Sequence, residues 1–234
     1  MEPILRALES TRIDLTATVL EHPFLQRCRT GTISLPRLKT YLVQQGHYSR
    51  HFTRYLCALM SNLPDNAQIL ALAENLFEEL GLSDDSQIPH SVLYQTMLQR
   101  FDLNLERGPG PLPATTGLIR AMTEHCRDAN PACGLGALCL GAEALVAPLY
   151  SAIIAGFAAH GFTGPEMAFF TIHIDCDDGH ADTLRAIMVR AAEQDPSQLE
   201  IMIAAGRALA RARWDFFTDI EATKCHHEAS LNIA

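Results

Sequence analysis

Apolar residues recur every three or four positions along most of the chain, whereas the strict alternation typical of strands is nearly absent. This spacing places the apolar side chains of each segment on one helical face. Ile4–Leu20 shows the pattern first, and a long helix is predicted from about Leu35 to Asn62. Ser34 is a suitable N-cap for that helix and Pro36 lies in its first turn. The pattern therefore predicts an all-α fold, a bundle of amphipathic helices.

Proline, glycine and capping residues divide the rest of the chain into further helices. The predicted segments are Asn66–Gly81, Ser91–Leu105, Thr115–Ala129, Ala132–His160, Met167–Arg190 and Ser197–Ile220. The most turn-rich stretch, ERGPGPLPATT, connects two halves that could not bury their apolar faces separately. We therefore expect a single helical domain over residues 1–223 and a polar, disordered tail over residues 224–234.

The composition limits the classes of function. The chain has 234 residues, 48% of them hydrophobic, and a formal net charge of −9, which argues against nucleic acid as a partner. The most apolar stretch, Cys133–Ala159, is interrupted by Glu143 and Pro148, which favours a buried helix over a membrane span. The charged N-terminus argues against a signal peptide. Seven cysteines without paired spacing indicate reduced thiols, so we expect a cytoplasmic protein without membrane association.

The strongest chemical signal lies in Met167–Arg190, MAFFTIHIDCDDGHADTLRAIMVR. His173, Asp177 and His180 stand at positions i, i+4 and i+7, so a helix would place two imidazoles and a carboxylate on one face. Nitrogen and oxygen ligands without thiolate suit iron, manganese or zinc. The alternative is a polar helix face in contact with water. Other candidate ligands elsewhere in the chain would favour a metal site over this alternative.

Other acidic and imidazole groups fall on apolar faces. Glu79 lies close to the apolar stripe of its helix, whereas Glu74 and Glu78 are expected to face outward. His90 follows a proline and would start the next helix. Glu143 lies among apolar residues in the middle of its helix, where an unpaired charge would cost several kcal/mol. A metal or a buried arginine must compensate it.

Together these residues form a set of six candidate metal ligands. The members are Glu79, His90, Glu143, His173, Asp177 and His180. Their three carboxylates nearly balance the charge of two divalent cations and leave room for a bridging oxygen ligand. Helical bundles that hold two irons also use inward-facing glutamates and histidines on separate helices. The set therefore suits a dinuclear site.

The order of three blocks, ENLFEELG with PHSVLY, GAEALVAPLY, and FFTIHIDCDDGH, resembles the heme-oxygenase-like diiron oxidases, relatives of the TenA/PqqC-like helical fold. The similarity covers about residues 15–220 and fills every ligand position of the family with the six residues above. It implies a seven-helix bundle that binds two Fe(II), or an iron–manganese pair, and uses O2 and an external reductant. Members oxidise amino acids or fatty acids by C–C cleavage, desaturation or N-oxygenation.

Within the family, the chain is most similar to the subgroup of the chlamydial protein associating with death domains, which resembles a para-aminobenzoate synthase that consumes its own tyrosine and lysine. The corresponding positions hold Phe169 and Ile153 here. The departure favours an external substrate over self-sacrifice. A metal-free thiamine-salvage or quinone-biosynthesis protein with a reactive Cys133 or Cys139 is a further alternative, and a noncatalytic helical interaction protein is the third.

The long helix over residues 35–62 is expected to form one wall of the substrate pocket. Its candidate lining residues are Tyr41, Gln45, His47, Tyr48, His51 and Tyr55. His47 and His51 also have the spacing of half a metal site, but no third ligand follows at a suitable offset. Arg50 or Arg54 could hold a substrate carboxylate. The expected partners are thus a small-molecule substrate and an electron donor, with a homodimer left open.

Overall fold

The computed structural model describes residues 1–83 and 87–223, and over residues 175–178 it describes the helical backbone but not the side chains. Every regular element in these ranges is helical, which confirms the predicted all-α class. The side chain of Asp177 and residues 224–234, for which a polar tail is predicted, lie outside the described residues.

The described ranges contain eleven α-helical segments, so the predicted count of seven is too low. They are α1 Glu2–Leu20, α2 Pro23–Arg29, α3 Leu35–Ser49, α4 Phe52–Met60, α5 Asn66–Glu79, α6 His90–Arg100, α7 Pro113–Arg127, α8 Pro131–Leu138, α9 Ala144–Ala158, α10 Ala168–Gln194 and α11 Ser197–Ala222. A π-helical turn, Cys139–Glu143, joins α8 to α9, and a 3-10 turn, Gly164–Met167, precedes α10.

The long helix predicted over residues 35–62 is broken at Arg50 and His51, where the chain turns between α3 and α4. The turn allows Tyr48 and Tyr55 to pack together with 5.8 Å between their ring centroids. In an unbroken helix, residues seven apart are separated by about 10 Å along the axis. Aromatic packing in the interior therefore accompanies a break that the hydrophobic pattern does not reveal.

Helix starts follow the capping chemistry of the sequence. The Asp65 side chain accepts a hydrogen bond from the Ala67 amide at the start of α5, and Asn130 accepts one from Ala132 at the start of α8. The Nδ1 atom of His22 has the same role at the start of α2, where it accepts from the Phe24 amide at 3.1 Å. These side chains satisfy amides that the first helical turn leaves without partners.

The helix formed by α8, the π turn and α9 runs through the centre of the protein, between α11 and α10. Its contact with α11 is close because Gly136 leaves no side chain there: a Cβ at this position would lie 2.0 Å from the Met202 carbonyl oxygen. Within the described residues, Pro131–Ala158 is also the one helix long and apolar enough to cross a membrane, but 67% of its most apolar window is buried inside the protein. A central core helix has these same properties.

Candidate metal centre

Three of the six candidate ligands come together from three different helices. Glu79 ends α5, His90 begins α6, and His173 lies in the first half of α10. One ligand atom from each lies within 4.8 Å of the others. Glu79 Oε1 is 3.2 Å from His90 Nδ1 and 4.0 Å from His173 Nε2, and the two imidazole ring centroids are 4.5 Å apart. The cluster is largely buried and offers one oxygen and two nitrogen donors to a single ion.

Gly81 explains how the chain brings Glu79 to His90. Its φ angle is +71°, a left-handed conformation that favours glycine. A Cβ at Gly81 would lie 2.5 Å from the backbone nitrogen of Pro89, so the two ends of the connecting loop touch at this position. The residue after Pro89 is His90, which therefore begins α6 directly opposite the last turn of α5.

The hydrogen bond of His173 defines its protonation state. Its Nδ1 lies 2.7 Å from the Phe169 carbonyl oxygen, which can only accept, so the proton is on Nδ1 and the lone pair is on Nε2. Burial lowers the pKa of His173 to about 4, against the opposing influence of Glu79. The imidazole is therefore neutral near pH 7, with the nitrogen that faces Glu79 free to bind a metal.

Glu79 is ionised despite its burial. Desolvation acts to raise its pKa, but the hydrogen bond with His90 and the nearby histidine charges outweigh it and hold the pKa below the ordinary value. An ionised carboxylate beside the neutral imidazole of His173 has the protonation states that a divalent cation requires. The donor set fits iron, since nitrogen and oxygen ligands without thiolate are typical of non-heme iron sites.

Glu143 lies in the π turn between α8 and α9 and is only 5% exposed. It lines the same cavity as Glu79, His90 and His173. A π turn contains an extra residue relative to an α-helix and occurs frequently at functional sites. The turn here ends at the carboxylate that the sequence singles out.

His180 is buried on α10, near enough to Glu79 and His173 for their charges to interact. Its Nε2 lies 2.6 Å from Oε2 of Glu78. The expectation that Glu78 faces outward is therefore wrong: the side chain is 33% exposed and reaches α10, whereas Glu74, one turn earlier, is exposed. Asp177, the remaining candidate, has its side chain outside the described residues.

A cavity of about 260 Å³ adjoins the cluster and is mostly apolar. Of the candidate pocket residues, Tyr41, Gln45 and Tyr48 line it, whereas His47, His51 and Tyr55 do not. The His47 ring bonds to the Pro109 carbonyl oxygen at 2.9 Å. Near His51 and Tyr55, the cavity is lined instead by Arg50 at the break and by Phe52, Thr53 and Arg54 of α4. The cavity is therefore bounded by part of the predicted wall only.

Arg213 on α11 is a cavity residue that is absent from the candidates selected on sequence. It is 5% exposed, and its Nη1 donates a hydrogen bond to Gln45 Oε1 at 3.0 Å. A signal for it exists: Leu209, Arg213, Phe216 and Ile220 stand at i, i+4, i+7 and i+11, so the arginine belongs to the buried stripe. By contrast, Arg50 and Arg54 line the cavity from exposed positions, and Arg50 pairs with Glu106 at 3.2 Å.

The sequence matches a known protein family. Residues 39–214 match the family described as iron-containing redox enzyme, which is most of the chain. The chain belongs to this family. It is 24% identical to the 4-aminobenzoate synthase of Chlamydia muridarum over 218 residues, 90% of this chain and 89% of that protein. It is 26% identical to the 4-chloro-allylglycine synthase of Streptantibioticus cattleyicolor over 168 residues, 70% of this chain and 63% of that protein.

The fold agrees with this assignment and with the expected TenA/PqqC-like bundle. A TenA homolog from Pseudomonas syringae superposes with a TM-score of 0.78 at 16% identity, covering 94% of this chain and 93% of that one. An iron-containing redox enzyme needs side chains that can hold iron, and the cluster of Glu79, His90 and His173 can do so. Membership of the family and the donor set thus point to the same place in the fold.

The two cysteines considered for a metal-free reaction are not activated. Burial raises the pKa of the Cys139 thiol to about 12, with a further contribution from Glu143, and its Sγ contacts the Ala181 carbonyl oxygen. Burial and Asp128 also raise the pKa of Cys133. Neither residue lines the cavity beside the cluster. A nucleophilic cysteine needs the opposite, a lowered pKa and access to the substrate.

Proposed function

We propose that the protein is a non-heme diiron oxidase or oxygenase that activates O2 to oxidise an external, amino-acid-like or fatty-acid-like small molecule. The observation that carries this proposal is the convergence of Glu79, His90 and His173 in the wall of a cavity that also contains the buried Glu143. The cavity supplies space for a small substrate next to the ligands. The cofactor is two Fe(II), with an iron–manganese pair as the alternative.

Glu79, His90 and His173 would hold one iron, and Glu143, His180 and Asp177 are the candidate ligands that remain for the second. When bound, two Fe(II) ions provide a site for O2 and part of the electrons that its reduction requires, while the substrate and an external donor provide the remainder. The Phe169 carbonyl keeps the His173 lone pair on Nε2, and the apolar cavity wall limits the access of water.

An external substrate is favoured over self-sacrifice by two positions. Phe169 packs 4.2 Å from the His173 ring, measured between centroids, and Ile153 is fully buried on α9, so neither offers a phenol or an amine. Tyr48 and Tyr150 do line the cavity, and one relative is named a 4-aminobenzoate synthase, which keeps the self-sacrificing reaction as the second candidate. The intact mass of the protein after reaction separates the two, since an external substrate leaves it unchanged.

Metal analysis after anaerobic reconstitution with Fe(II) tests the proposal. We expect two irons per chain in the wild type, at most one in Glu79→Gln and in Glu143→Gln, and two in Glu74→Gln, the exposed control on the same helix. Addition of O2 to the reconstituted wild type should produce a new absorption band, and the band should be absent from Glu79→Gln. One iron or less per wild-type chain, or full loading of both cavity variants, would contradict the proposal.

The remaining elements of the proposal concern the surroundings of the enzyme. We propose a cytoplasmic location, an external protein or small-molecule electron donor, and a homodimer as the oligomeric state to test by light scattering. The reduced state of the buried cysteines Cys28, Cys126 and Cys139 is compatible with a reducing compartment.

A further inference from the structure

Arg213 carries a buried charge without an acidic partner among the side chains that the structure describes. No carboxylate in that part of the chain forms an ion pair with it, and its Nε has no hydrogen-bond partner. The guanidinium lies over the ring of Tyr48, with Cζ 4.4 Å from the centroid. A cation–π contact compensates only part of the cost of removing a charge from water. An anion in the adjoining cavity would compensate the rest.

The neighbours of Arg213 hold the guanidinium in a fixed orientation. Gln45 accepts from Arg213 through Oε1 and donates through Nε2 to the Tyr150 hydroxyl at 3.3 Å, so its amide is used at both ends. Tyr150 in turn lies 5.9 Å from the His173 ring, between centroids. This chain of contacts connects the arginine at one part of the cavity wall to the metal cluster at another.

The shape and polarity of the cavity restrict the anion. Its volume of about 260 Å³ is below the range typical of drug-sized ligands, so the ligand is small. Much of the wall is apolar, with Leu149, Val146 and Phe217 among the lining residues. A planar carboxylate matches the forked donors of a guanidinium, and an apolar body matches the rest of the wall.

We propose that Arg213 is the residue that binds the substrate carboxylate, and that the substrate is a small carboxylic acid whose apolar part extends from Arg213 toward the cluster of Glu79, His90 and His173. This proposal rests on the proposed function, which makes the ligand of this cavity the substrate. It replaces Arg50 and Arg54 as candidate clamps, because those side chains are exposed to water, where a single ion pair contributes little.

Calorimetric titration with matched six-carbon probes tests the proposal on the wild-type protein. The probes are hexanoate, norleucine and hexan-1-ol, used on protein treated with chelator so that no ion can bind the carboxylate directly. We expect hexanoate, norleucine or both to bind on the order of 10- to 100-fold more tightly than hexanol. The better of the two acids identifies a fatty-acid-like or an amino-acid-like substrate. Equal affinity for hexanoate, norleucine and hexanol would overturn the proposal.

Variants assign the effect to the residue. Arg213→Met, of similar length and without charge, should lose the preference for the acid, whereas Arg211→Met, an exposed arginine on the same helix, should retain it. If Arg213→Met does not fold, Arg213→Lys replaces it in the test. Lysine keeps the charge but not the forked donors, so this variant should show an intermediate preference for the acid. Retention of the preference in folded Arg213→Met, or its loss in Arg54→Gln instead, would contradict the assignment.

The outcome is separable from that of the proposed function. Arg213 does not belong to the candidate ligands, so folded Arg213→Met should bind as much iron as the wild type. Normal iron content with lost acid selectivity supports the carboxylate site. Acid binding that appears only after iron is added and survives Arg213→Met overturns it while leaving the diiron proposal intact.

Discussion

The Nε2 atom of His180 and the Oε2 atom of Glu78 lie 2.6 Å apart, between the last turn of α5 and the middle of α10. The two neighbouring carboxylates at the end of α5 therefore contact different histidines: Glu78 contacts His180, whereas Glu79 faces His90 and His173. A carboxylate bonded to one nitrogen of a histidine fixes the orientation of its ring. Glu78 therefore holds the ring of His180 in a fixed orientation.

Replacement of Glu78 by Gln should weaken iron binding without unfolding the protein. Loss of such an outer partner typically reduces metal affinity roughly 10- to 100-fold. Glu78 is partly exposed, so the melting temperature of the metal-free protein should change little. Competition with a chelator of known affinity measures the effect, and Glu74→Gln is the matched control. Equal iron retention by both variants would show that the contact does not support the site.

Replacement of Gly81 by Ala should damage both stability and the metal site. The left-handed conformation alone costs about 1 to 3 kcal/mol for a residue with a Cβ, and here the Cβ would also lie 2.5 Å from the Pro89 backbone nitrogen. The loop must open, which moves His90 away from Glu79. Urea denaturation and iron content measure the two effects.

Gly161 provides the control for this substitution, because it has a similar φ angle of +82° but no atom within 4 Å of the place where a Cβ would lie. Gly161→Ala should cost only the conformational strain and leave iron content unchanged. If Gly81→Ala behaves like Gly161→Ala in both measurements, the loop contact does not position His90.

The sequence predicts the helices well where local chemistry decides them. Asp65 and Asn130 cap helices because their side chains bond to amides two residues later, an interaction contained within a few residues of sequence. The π turn at Cys139–Glu143 has no such signal, since apolar residues on all sides give no periodicity that would distinguish a wider turn. The break at Arg50 and His51 likewise accompanies packing that periodicity does not show, namely Tyr48 against Tyr55 and against Arg213 of α11.

The candidate site shows the same division. Glu79, His90 and His173 are selected because each carries a polar group on an apolar face, and the fold brings all three together. Glu78 is misplaced because a helical wheel gives the direction of a side chain relative to its own helix, not which neighbour it reaches. Arg213 is missed although its spacing is that of a buried stripe, because a long arginine side chain beside such a stripe can usually extend to water. The assignment of Asp177 stays a prediction.

Replacement of Gly136 by Ala should be strongly destabilising. A Cβ there would lie 2.0 Å from the Met202 carbonyl oxygen, so α8 and α11 must separate. Overpacking of this kind costs typically about 1 to 3 kcal/mol and sometimes more. Gly117 on α7 is the matched control, since nothing lies within 4 Å of its Cβ position and Ala should stabilise that helix by about 0.5 to 1 kcal/mol. Chemical denaturation of both variants should show opposite signs, and a stable Gly136→Ala would contradict the close approach.

The stability of the metal-free protein should decrease as the pH falls from about 6.5 to 4, in part through His22. Burial, assisted by the charge of Arg27, lowers the pKa of this histidine from 6.5 to about 4. Between pH 6.5 and 4 the unfolded chain binds a proton at His22 that the folded protein does not accept. The free energy of unfolding therefore decreases as the pH is lowered, by up to about 3 kcal/mol. Protonation would remove the Nδ1 lone pair that caps α2.

His22→Asn isolates this contribution, because asparagine keeps a capping acceptor but does not titrate. His173 acts in the same direction in both proteins, so it cancels in the difference between them. Urea denaturation at several pH values between 7 and 4 should therefore give a smaller loss of stability for the variant than for the wild type. Parallel curves would mean that His22 takes up its proton at the same pH in the folded and unfolded states, and that its bond to the Phe24 amide does not oppose protonation.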